Sequence, residues 1–374
     1  MKILIVMTGF LPGKKYGGPP VSVDNFCTLM QESSECYIVT HNHEMGETEP
    51  YERIHQGWND RGNCKVLYLS NKEYNYKTFK KIIDEISPDI LYLQSLFQDC
   101  IVPCLMLSKK YGIKVFLAPR GELCAGALSI HKYKKIPYIA VINMLGLVKK
   151  VDFQSTSEEE TEGIHKYLKV PYEQIHFLTN IPSIPPKKYE RLPKKAGKGR
   201  FVFLSRIHPK KNLISAIKYF NGINGVAAFD IYGPIEDKEY WKQCQDEIAK
   251  LPENVKVNYC GLVSHDEVHE IFSKYDAFLF PTFSENFGHV IAEALAVGTP
   301  VIISDQTPWR NLAAYGAGFD IPLTDDEGFT NAIQNVIQSE TQKNLLIENY
   351  VNEKLEVNKI KKEYLNVFDL MLKK

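Results

Sequence analysis

The sequence lacks an excess of charge of either sign. Lys and Arg total 45 and Asp and Glu total 45 in 374 residues, so the formal net charge is zero. Proteins that hold nucleic acid through their overall field carry a clear positive excess. The composition therefore argues against a nucleic-acid partner, and any anion site has to be local.

Regularly spaced cysteines are also missing. The eight cysteines are scattered and include no C-x-x-C pair. Structural zinc sites and disulfide frameworks depend on such spacings. We therefore expect a reduced, cytosolic protein without a zinc site.

No apolar run is long enough to span a bilayer, which takes about 20 residues. The most apolar later window, residues 136–148, is too short. The N-terminus, MKILIVMTGF, leads from a strand pattern into Gly and Pro without the apolar core of an export signal. These features predict a mature cytoplasmic start and no transmembrane helix.

Short runs rich in β-branched and aromatic residues alternate with longer segments of helical spacing, which is typical of a parallel sheet covered by helices. The predicted strands are 2–7, 36–40, 65–69, 90–94, 114–119 and 152–156, then 201–205, 227–233, 255–261, 277–282 and 300–305. We predict an α/β protein with two Rossmann-like, doubly wound lobes. In such folds ligands bind at the carboxyl ends of the strands, here facing a central cleft.

A segment rich in proline and lysine, residues 180–200, separates the two series of strands. Its composition is typical of a linker. We predict an N-terminal domain over 1–180, a linker over 181–199 and a C-terminal domain over 200–355. An amphipathic helix over 356–374 is expected to pack on the lobes and to cross back to the N-terminal domain.

Arginine is scarce, with seven in the chain, yet Arg206 follows directly after a predicted strand. Lys211 lies five positions later, across a turn that contains Pro209. Both cationic groups could converge on one phosphate. The alternative is a solvated basic turn.

Residues 281–300, PTFSENFGHVIAEALAVGTP, place two carboxylates eight positions apart around a glycine. A helix that starts near Gly288 would offer N–H groups and a positive dipole end to a phosphate. Glu293 would then reach a ribose, and Glu285 a transferred sugar. The alternative makes Glu285 a helix-entry charge and Glu293 a surface residue.

The pattern S-E-N-F-G-x-x-x-x-E, preceded by R-x-x-x-x-K and by the glycine pair of KYGGPP, resembles glycosyltransferase family 4 of the GT-B fold. The resemblance covers nearly the whole chain and is strongest from about residue 200 to 320. It implies a retaining, metal-independent glycosyltransferase that needs no cofactor and uses a nucleotide sugar as its substrate.

The resemblance also implies roles for single residues. Arg206 and Lys211 would hold the donor diphosphate, and Glu285 would orient the sugar. Further donor contacts would come from Gly17, Gly18, Leu262, Asn286, Phe287, Gly288, His289, Val290 and Glu293. On the acceptor side, Tyr92, Gln94, Arg120 and Glu122 stand where relatives often carry histidines. Which of them faces the acceptor stays open, and Arg120 could instead form a structural ion pair.

The expected donor is a UDP-sugar, with a GDP-sugar as the alternative. The expected acceptor is a saccharide or a lipid-linked saccharide in bacterial surface polysaccharide synthesis. Lysines bracket an apolar run in residues 131–150. This pattern suits an interfacial helix on an anionic membrane, at the inner face of the cell membrane, or else a buried helix with solvated ends.

Other functions fit the sequence less well. A sugar-nucleotide epimerase or phosphorylase of the same fold would need motifs that are not evident. A nicotinamide-dependent dehydrogenase would need G-x-G-x-x-G after the first strand, whereas Gly9, Gly13, Gly17 and Gly18 have other spacings. A non-catalytic sugar-nucleotide-binding protein could dispense with Glu285.

Overall fold

The computed structural model describes residues 1–183, 185, 187–285, 287–340 and 345–374, which form two compact units. Unit 1 comprises Met1–Ile181 and Val357–Lys374, and unit 2 comprises Pro182–Glu356. Each unit is built around one sheet. No helix in the described ranges is long and apolar enough to span a membrane.

Unit 1 contains an eight-stranded sheet of order β3-β4-β2-β1-β5-β6-β7-β8. Its strands are β1 (Lys2–Val6), β2 (Glu35–His41), β3 (Trp58–Asp60), β4 (Lys65–Leu69), β5 (Ile90–Gln94), β6 (Lys114–Ala118), β7 (Val151–Ser155) and β8 (Ile175–Phe177). All neighbours are parallel except β3, which pairs antiparallel with β4. The order reverses at β1, as a doubly wound sheet requires.

Helices connect the parallel strands of unit 1. They are α1 (Gly18–Met30), α2 (Tyr76–Ile86), α3 (Ile101–Tyr111), α4 (Ala125–Ser129), α5 (Lys132–Met144) and α6 (Glu158–Leu168). In α2 the side chain of Asn75 accepts hydrogen bonds from the N–H groups of Lys77 and Thr78, which caps the helix. The helix ends at Ser87 in a left-handed conformation. Its buried residues, spaced three and four apart, face the sheet.

Unit 2 contains a six-stranded parallel sheet of order β11-β10-β9-β12-β13-β14. Its strands are β9 (Lys198–Leu204), β10 (Val226–Tyr232), β11 (Val255–Gly261), β12 (Ala277–Phe280), β13 (Val301–Ser304) and β14 (Gly318–Ile321). Its helices are α7 (Leu213–Lys218), α8 (Lys238–Ile248), α9 (Val268–Ser273), α10 (His289–Ala296), α11 (Asp326–Gln338) and α12 (Leu345–Lys354). Strands β9 and β12 are neighbours at the reversal of the strand order, so the loops that follow them meet.

The last helix, α13 (Val357–Lys373), packs in unit 1. Ile360, Tyr364, Val367, Phe368 and Met371 are its buried residues. The Phe368 ring contacts the rings of Phe26 and Phe116 at 6.1 and 5.5 Å between centroids. The C-terminal segment therefore completes a core that includes residues more than 240 positions earlier.

The two parallel-sheet lobes predicted from the alternating pattern are confirmed. Every predicted strand has an observed counterpart, and the ends agree to within three residues. The sequence patterns did not identify the short strands β3, β8 and β14, because three or four residues give little periodicity.

Truncation of Phe368 tests how much the last helix contributes to unit 1. We expect Phe368→Ala to lower the unfolding free energy of unit 1 by about 3–5 kcal/mol, because it leaves a cavity among aromatic rings. Leu370→Ala on the same helix should change it by less than about 0.5 kcal/mol, since Leu370 is 56% exposed. Hydrogen exchange of the β5 amides measures the unfolding free energy of unit 1 in both variants. Equal losses in the two variants would contradict the packing of Phe368 in the core.

Candidate functional site

The carboxyl ends of β9 and β12 carry two loops that are tied together by main-chain contacts. The Phe283 N–H donates to the Lys210 carbonyl at 3.0 Å. The Asn212 side chain donates to the Pro281 carbonyl at 2.9 Å. These bonds anchor the loop after β9 to the loop after β12.

This anchoring brings Lys211 onto Glu285. The Lys211 Nζ donates to Glu285 Oε1 in an ion pair, and both side chains are largely buried, with 11% and 18% exposed. The same ammonium lies 5.5 Å from the centroid of the Phe280 ring. Two of the three predicted catalytic residues are therefore in direct contact, although they are 74 positions apart in the chain.

Opposing effects act on the Lys211 charge. Burial lowers the pKa of Lys211, the negative charge of Glu285 raises it, and the positive charges of Arg206 and Lys210 lower it slightly. The net result is a pKa below the usual value. A ligand phosphate would add negative charge beside this ammonium and strengthen its protonated form.

Arg206 is exposed and has a carboxylate partner of its own. Its NH1 donates to both oxygens of Glu236, at 2.9 and 3.0 Å. Glu236 follows β10, the strand next to β9. In this structure each of the two cations holds its own carboxylate, and Glu236 accepts from the NH1 group of Arg206.

Helix α10 begins directly after Gly288, which adopts a left-handed conformation with φ of 76°. A Cβ at this position would lie 2.8 Å from the Ile291 side chain, so the turn requires glycine. The carbonyl of Phe287 accepts a hydrogen bond from Trp309 Nε1 at 2.6 Å. The loop is thus fixed and directs the N–H groups of the first turn, including those of His289 and Val290, out of the helix end. Asn286 lies outside the described residues.

Glu293 is buried in the second turn of α10, with 3% of its surface exposed. Its Oε1 lies 3.7 Å from His265 Nδ1, which is longer than a hydrogen bond. Burial raises the pKa of Glu293 to about 7. Its position contradicts the alternative of an ordinary surface residue.

The arrangement combines groups suited to a phosphorylated sugar ligand. The Lys211 ammonium and the helix N-terminus supply positive potential, and Glu285 and Glu293 supply acceptors for hydroxyl groups. Leu262, which follows β11, is 57% exposed. Among the described residues no group of three or more His, Cys, Asp or Glu could hold a metal ion.

In unit 1, Arg120 joins a network of neutral polar groups at the end of β6. Its Nε and NH2 donate to Gln94 Oε1 at 2.9 and 2.6 Å, and NH1 donates to Asn180 Oδ1. The Tyr92 hydroxyl, 3.5 Å from Arg120 NH2, donates to Gln154 at 2.7 Å. The structure therefore brings three of the four acceptor-side candidates together, with Tyr92 and Gln94 buried beneath Arg120.

The remaining unit 1 candidates have different surroundings. Glu122 accepts a hydrogen bond from the Leu96 N–H at 2.5 Å, and burial raises its pKa. Gly17 precedes α1 with φ of 74°. Gly18 is the first helical residue, and Pro19 and Pro20 follow it. The two prolines lack N–H groups, so this helix end offers a phosphate fewer donors than α10 does.

The same residues match a known family. Residues 186–352 match the sequence model of the family described as glycosyl transferases group 1. The matched segment is less than half of the chain, includes Arg206, Lys211, Glu285 and Glu293, and coincides with most of unit 2.

One curated relative aligns with part of the chain. The O-antigen chain mannosyltransferase RfbU of Salmonella typhimurium is 30% identical over 154 residues. The alignment covers 40% of this chain and 42% of RfbU, so it spans about two fifths of each protein.

Solved structures match nearly the entire chain. HepE of Anabaena, in complex with UDP and glucose, gives a TM-score of 0.70 at 14% identity and covers 99% of both chains. Sucrose-phosphate synthase of Thermosynechococcus elongatus gives a TM-score of 0.69 at 13% identity, over 99% of this chain and 98% of the other. At these identities the likeness concerns the fold, which is the GT-B fold of two α/β lobes.

Sequence reasoning missed two residues beside the candidate site. Glu236 holds Arg206, and His265 lies next to Glu293. Both follow strands of the same sheet, β10 and β11. Both residues lie shortly after predicted strands, and this position could have marked them as candidates. Other acidic and histidine residues in loops have similar positions, so the sequence did not single these two out.

The buried carboxyl of Glu293 predicts a specific pH dependence of stability. Burial raises the pKa of Glu293 from 4.5 to about 7, so protonation of this carboxyl stabilises the folded state. The contribution, about 3 kcal/mol, is fully present below about pH 4.5 and is lost as the pH rises through 7. Glu293→Gln stays neutral, so we expect it to resemble the wild type near pH 5 and to be more stable near pH 8.

Urea titrations followed by the fluorescence of Trp241 and Trp309, in a Trp58→Phe background, measure this difference. Glu270→Gln is the matched control, because Glu270 is exposed and pairs with Lys274. A stability difference between wild type and Glu293→Gln that does not grow with pH would contradict the burial of an ionisable Glu293.

Proposed function

We propose that this chain is a retaining, metal-independent glycosyltransferase of family 4. It transfers a sugar from a nucleoside diphosphate sugar to a saccharide or lipid-linked saccharide. The match to the group 1 family and the GT-B fold support glycosyl transfer. The contact of Lys211 with Glu285 beside the N-terminus of α10 is the observation that carries the proposal.

The proposed donor site uses the α10 end as its phosphate seat. The N–H groups of His289 and Val290 and the Lys211 ammonium bind the diphosphate, and Arg206 joins them when it leaves Glu236. Glu293 accepts hydrogen bonds from the ribose hydroxyls, and Glu285 accepts them from the transferred sugar. Gly17, Gly18 and Leu262 are proposed as further donor contacts.

The proposed reaction takes place on one face of the sugar. The acceptor oxygen forms a bond to the anomeric carbon as the bond from that carbon to the diphosphate oxygen breaks, and the acceptor proton passes to the leaving diphosphate. Lys211 and the helix end stabilise the negative charge that develops on the leaving oxygen. Glu285 orients the sugar, whose ring carries positive charge in the transition state. Arg120 is proposed to contact the acceptor.

The substrates are proposed from the relatives. HepE was solved with UDP and glucose, which supports a UDP-sugar donor, and a GDP-sugar is the alternative. RfbU is named as an O-antigen chain mannosyltransferase, which supports an acceptor in bacterial surface polysaccharide synthesis. A cytoplasmic location is part of the proposal.

Ligand-induced stabilisation tests the donor site. We expect one of UDP-glucose, UDP-galactose, UDP-N-acetylglucosamine and GDP-mannose to raise the melting temperature, since a ligand at 100 times its Kd stabilises by about 2.7 kcal/mol. Lys211→Ala should lose most of this shift, because it removes the cation and leaves the negative charge of Glu285 beside the phosphate. Lys210→Ala should keep it, since Lys210 is the exposed neighbour.

Each shift is measured from the melting temperature of the same variant without ligand, so that a change in intrinsic stability does not enter. Equal shifts in the two lysine variants would contradict the role of Lys211. The absence of a shift with every donor would contradict the donor site as a whole.

The stereochemistry and the metal requirement are tested in the transfer reaction itself. We expect the new linkage to keep the anomeric configuration of the donor by NMR, and the rate to be unchanged in EDTA. Lys211→Ala should slow turnover about 10²–10³-fold, the usual effect of losing one preorganised charge-stabilising group. An inverted product, or a rate that requires added Mg²⁺, would refute the corresponding part of the proposal.

A further inference from the structure

A glutamine lies within the apolar core of unit 1. Strand β7 is buried along its whole length, and Gln154 in this strand is 1% exposed. A buried amide group destabilises a fold unless its donors and its acceptor are hydrogen bonded. The Nε2 of Gln154 donates to two partners, one of them the Leu178 carbonyl at 3.0 Å, and its Oε1 accepts from a third. The other two partners are tyrosines from different parts of unit 1.

One of these tyrosines belongs to the C-terminal helix. Gln154 Nε2 donates to the hydroxyl of Tyr364 in α13 at 2.8 Å, and that hydroxyl donates to the Thr179 carbonyl at 3.1 Å. Burial raises the pKa of Tyr364 well above its usual value, so the hydroxyl stays protonated and donates. The Tyr364 ring packs against Phe26, with 5.5 Å between the ring centroids. The last helix therefore supplies a fixed hydroxyl group as well as an apolar face.

The second tyrosine connects Gln154 to Arg120. The Tyr92 hydroxyl donates to Gln154 Oε1 at 2.7 Å and lies 3.5 Å from Arg120 NH2. Tyr92 is 1% exposed, so this contact is closed to water. A first branch of hydrogen bonds thus runs from Tyr364 through Gln154 and Tyr92 to the guanidinium.

A second branch reaches Arg120 through the main chain. The Thr179 carbonyl accepts from Tyr364, and the next residue is Asn180, whose Oδ1 accepts from Arg120 NH1. The two branches meet the two terminal nitrogens of the guanidinium, NH2 and NH1. Because a guanidinium is planar and rigid, contacts at both nitrogens fix its orientation.

The position of Arg120 does not serve the stability of unit 1. Its φ of 57° lies in the left-handed region, which is unfavourable for a residue with a Cβ. The following N–H, that of Gly121, donates to the buried carboxylate of Glu160 at 2.6 Å and holds the loop in this conformation. Among the described residues, the hydrogen-bond partners of the guanidinium are neutral side chains: Gln94, Asn180, Ser22 and Tyr92. Backbone strain and a half-buried cation without a carboxylate partner are typical of binding sites.

One donor at the Arg120 end of the network is unused. Gln94 Oε1 accepts from Arg120 Nε and NH2 at 2.9 and 2.6 Å. A guanidinium only donates, so these bonds determine which end of the Gln94 amide is the oxygen. The Nε2 of Gln94 has no hydrogen-bond partner within the part of the chain that the structure describes. The network is therefore complete at its Tyr364 end and lacks an acceptor atom at its Arg120 end.

We propose that Tyr364 and Gln154 are positioning residues, which hold Arg120 in the orientation in which it binds the acceptor. The inference rests on the proposed function for the acceptor contact of Arg120. It adds that the C-terminal helix sets the geometry of that contact. A fully hydrogen-bonded buried network is rigid, so a change at Tyr364 is transmitted to the guanidinium.

Tyr364→Phe tests the proposal, because it keeps the ring and removes only the hydroxyl. The readout is the ¹H–¹⁵N NMR signal of Arg120 Nε–H in the full chain, identified by its loss in Arg120→Lys. In the wild type this proton donates to Gln94, so it should exchange with water more slowly than the Nε–H of the exposed Arg206. In Tyr364→Phe we expect exchange about fivefold to tenfold faster, the effect of losing one hydrogen bond from the network.

Tyr68→Phe is the matched control for the loss of a hydroxyl. Tyr68 donates to the Leu11 carbonyl at 2.6 Å in the same unit but outside the network, so exchange at Arg120 should remain as in the wild type. Gln154→Leu interrupts the first branch without removing any group of α13. It should speed exchange at Arg120 in the same direction as Tyr364→Phe does.

Unchanged exchange at Arg120 in Tyr364→Phe would overturn the proposal, as would an equal change in Tyr68→Phe. A wild-type Arg120 signal that exchanges as fast as that of Arg206 would overturn it as well, because the guanidinium would then not be held.

The melting shift with UDP-glucose, UDP-galactose, UDP-N-acetylglucosamine and GDP-mannose separates positioning from a general effect on the fold. Tyr364→Phe should keep the wild-type shift, because Lys211 and α10 belong to unit 2. A loss of the shift in this variant would show a general loosening and would contradict a positioning role. If no donor shifts the wild type, the proposed function fails, while the NMR signal of Arg120 still decides whether Tyr364 positions it.

Discussion

The ion pair between Lys211 and Glu285 is the interaction on which the candidate site depends. It joins loops from two neighbouring parallel strands, and it forms because the order of the sheet places β9 beside β12. A partly buried ion pair contributes little net stability, since both groups lose hydration. The proposed function accounts for the pair as a prepared site, in which the ammonium and the carboxylate are already largely desolvated and oriented for a ligand that carries both phosphate and hydroxyl groups.

Glu293 is a second buried charged group that does not stabilise the fold. A carboxyl that is almost fully buried, with a pKa near 7, weakens the fold at neutral pH. Nothing in the packing of α10 requires an acid there, because the adjacent residues Ile291, Ala292 and Ala294 form an apolar core contact. The proposed function accounts for this loss of stability, since hydrogen bonds donated by ribose hydroxyls to Glu293 would stabilise its ionised form.

Much of this could be predicted from the sequence, because its signals are local and periodic. Alternating apolar runs predicted both sheets, and the Phe287-Gly288 turn predicted the start of α10. Long-range partners could not be predicted. The bonds of Arg206 to Glu236 and of Arg120 to Asn180 depend on which strands are adjacent, and no residue spacing encodes this.

A crystal structure of the full chain with UDP tests the central claim most directly. The account predicts that the diphosphate lies against the first turn of α10, with a phosphate oxygen within hydrogen-bond distance of Lys211 Nζ and the ribose hydroxyls on Glu293. A diphosphate bound elsewhere, with the Lys211–Glu285 pair intact and Glu293 still buried and unliganded, would contradict it.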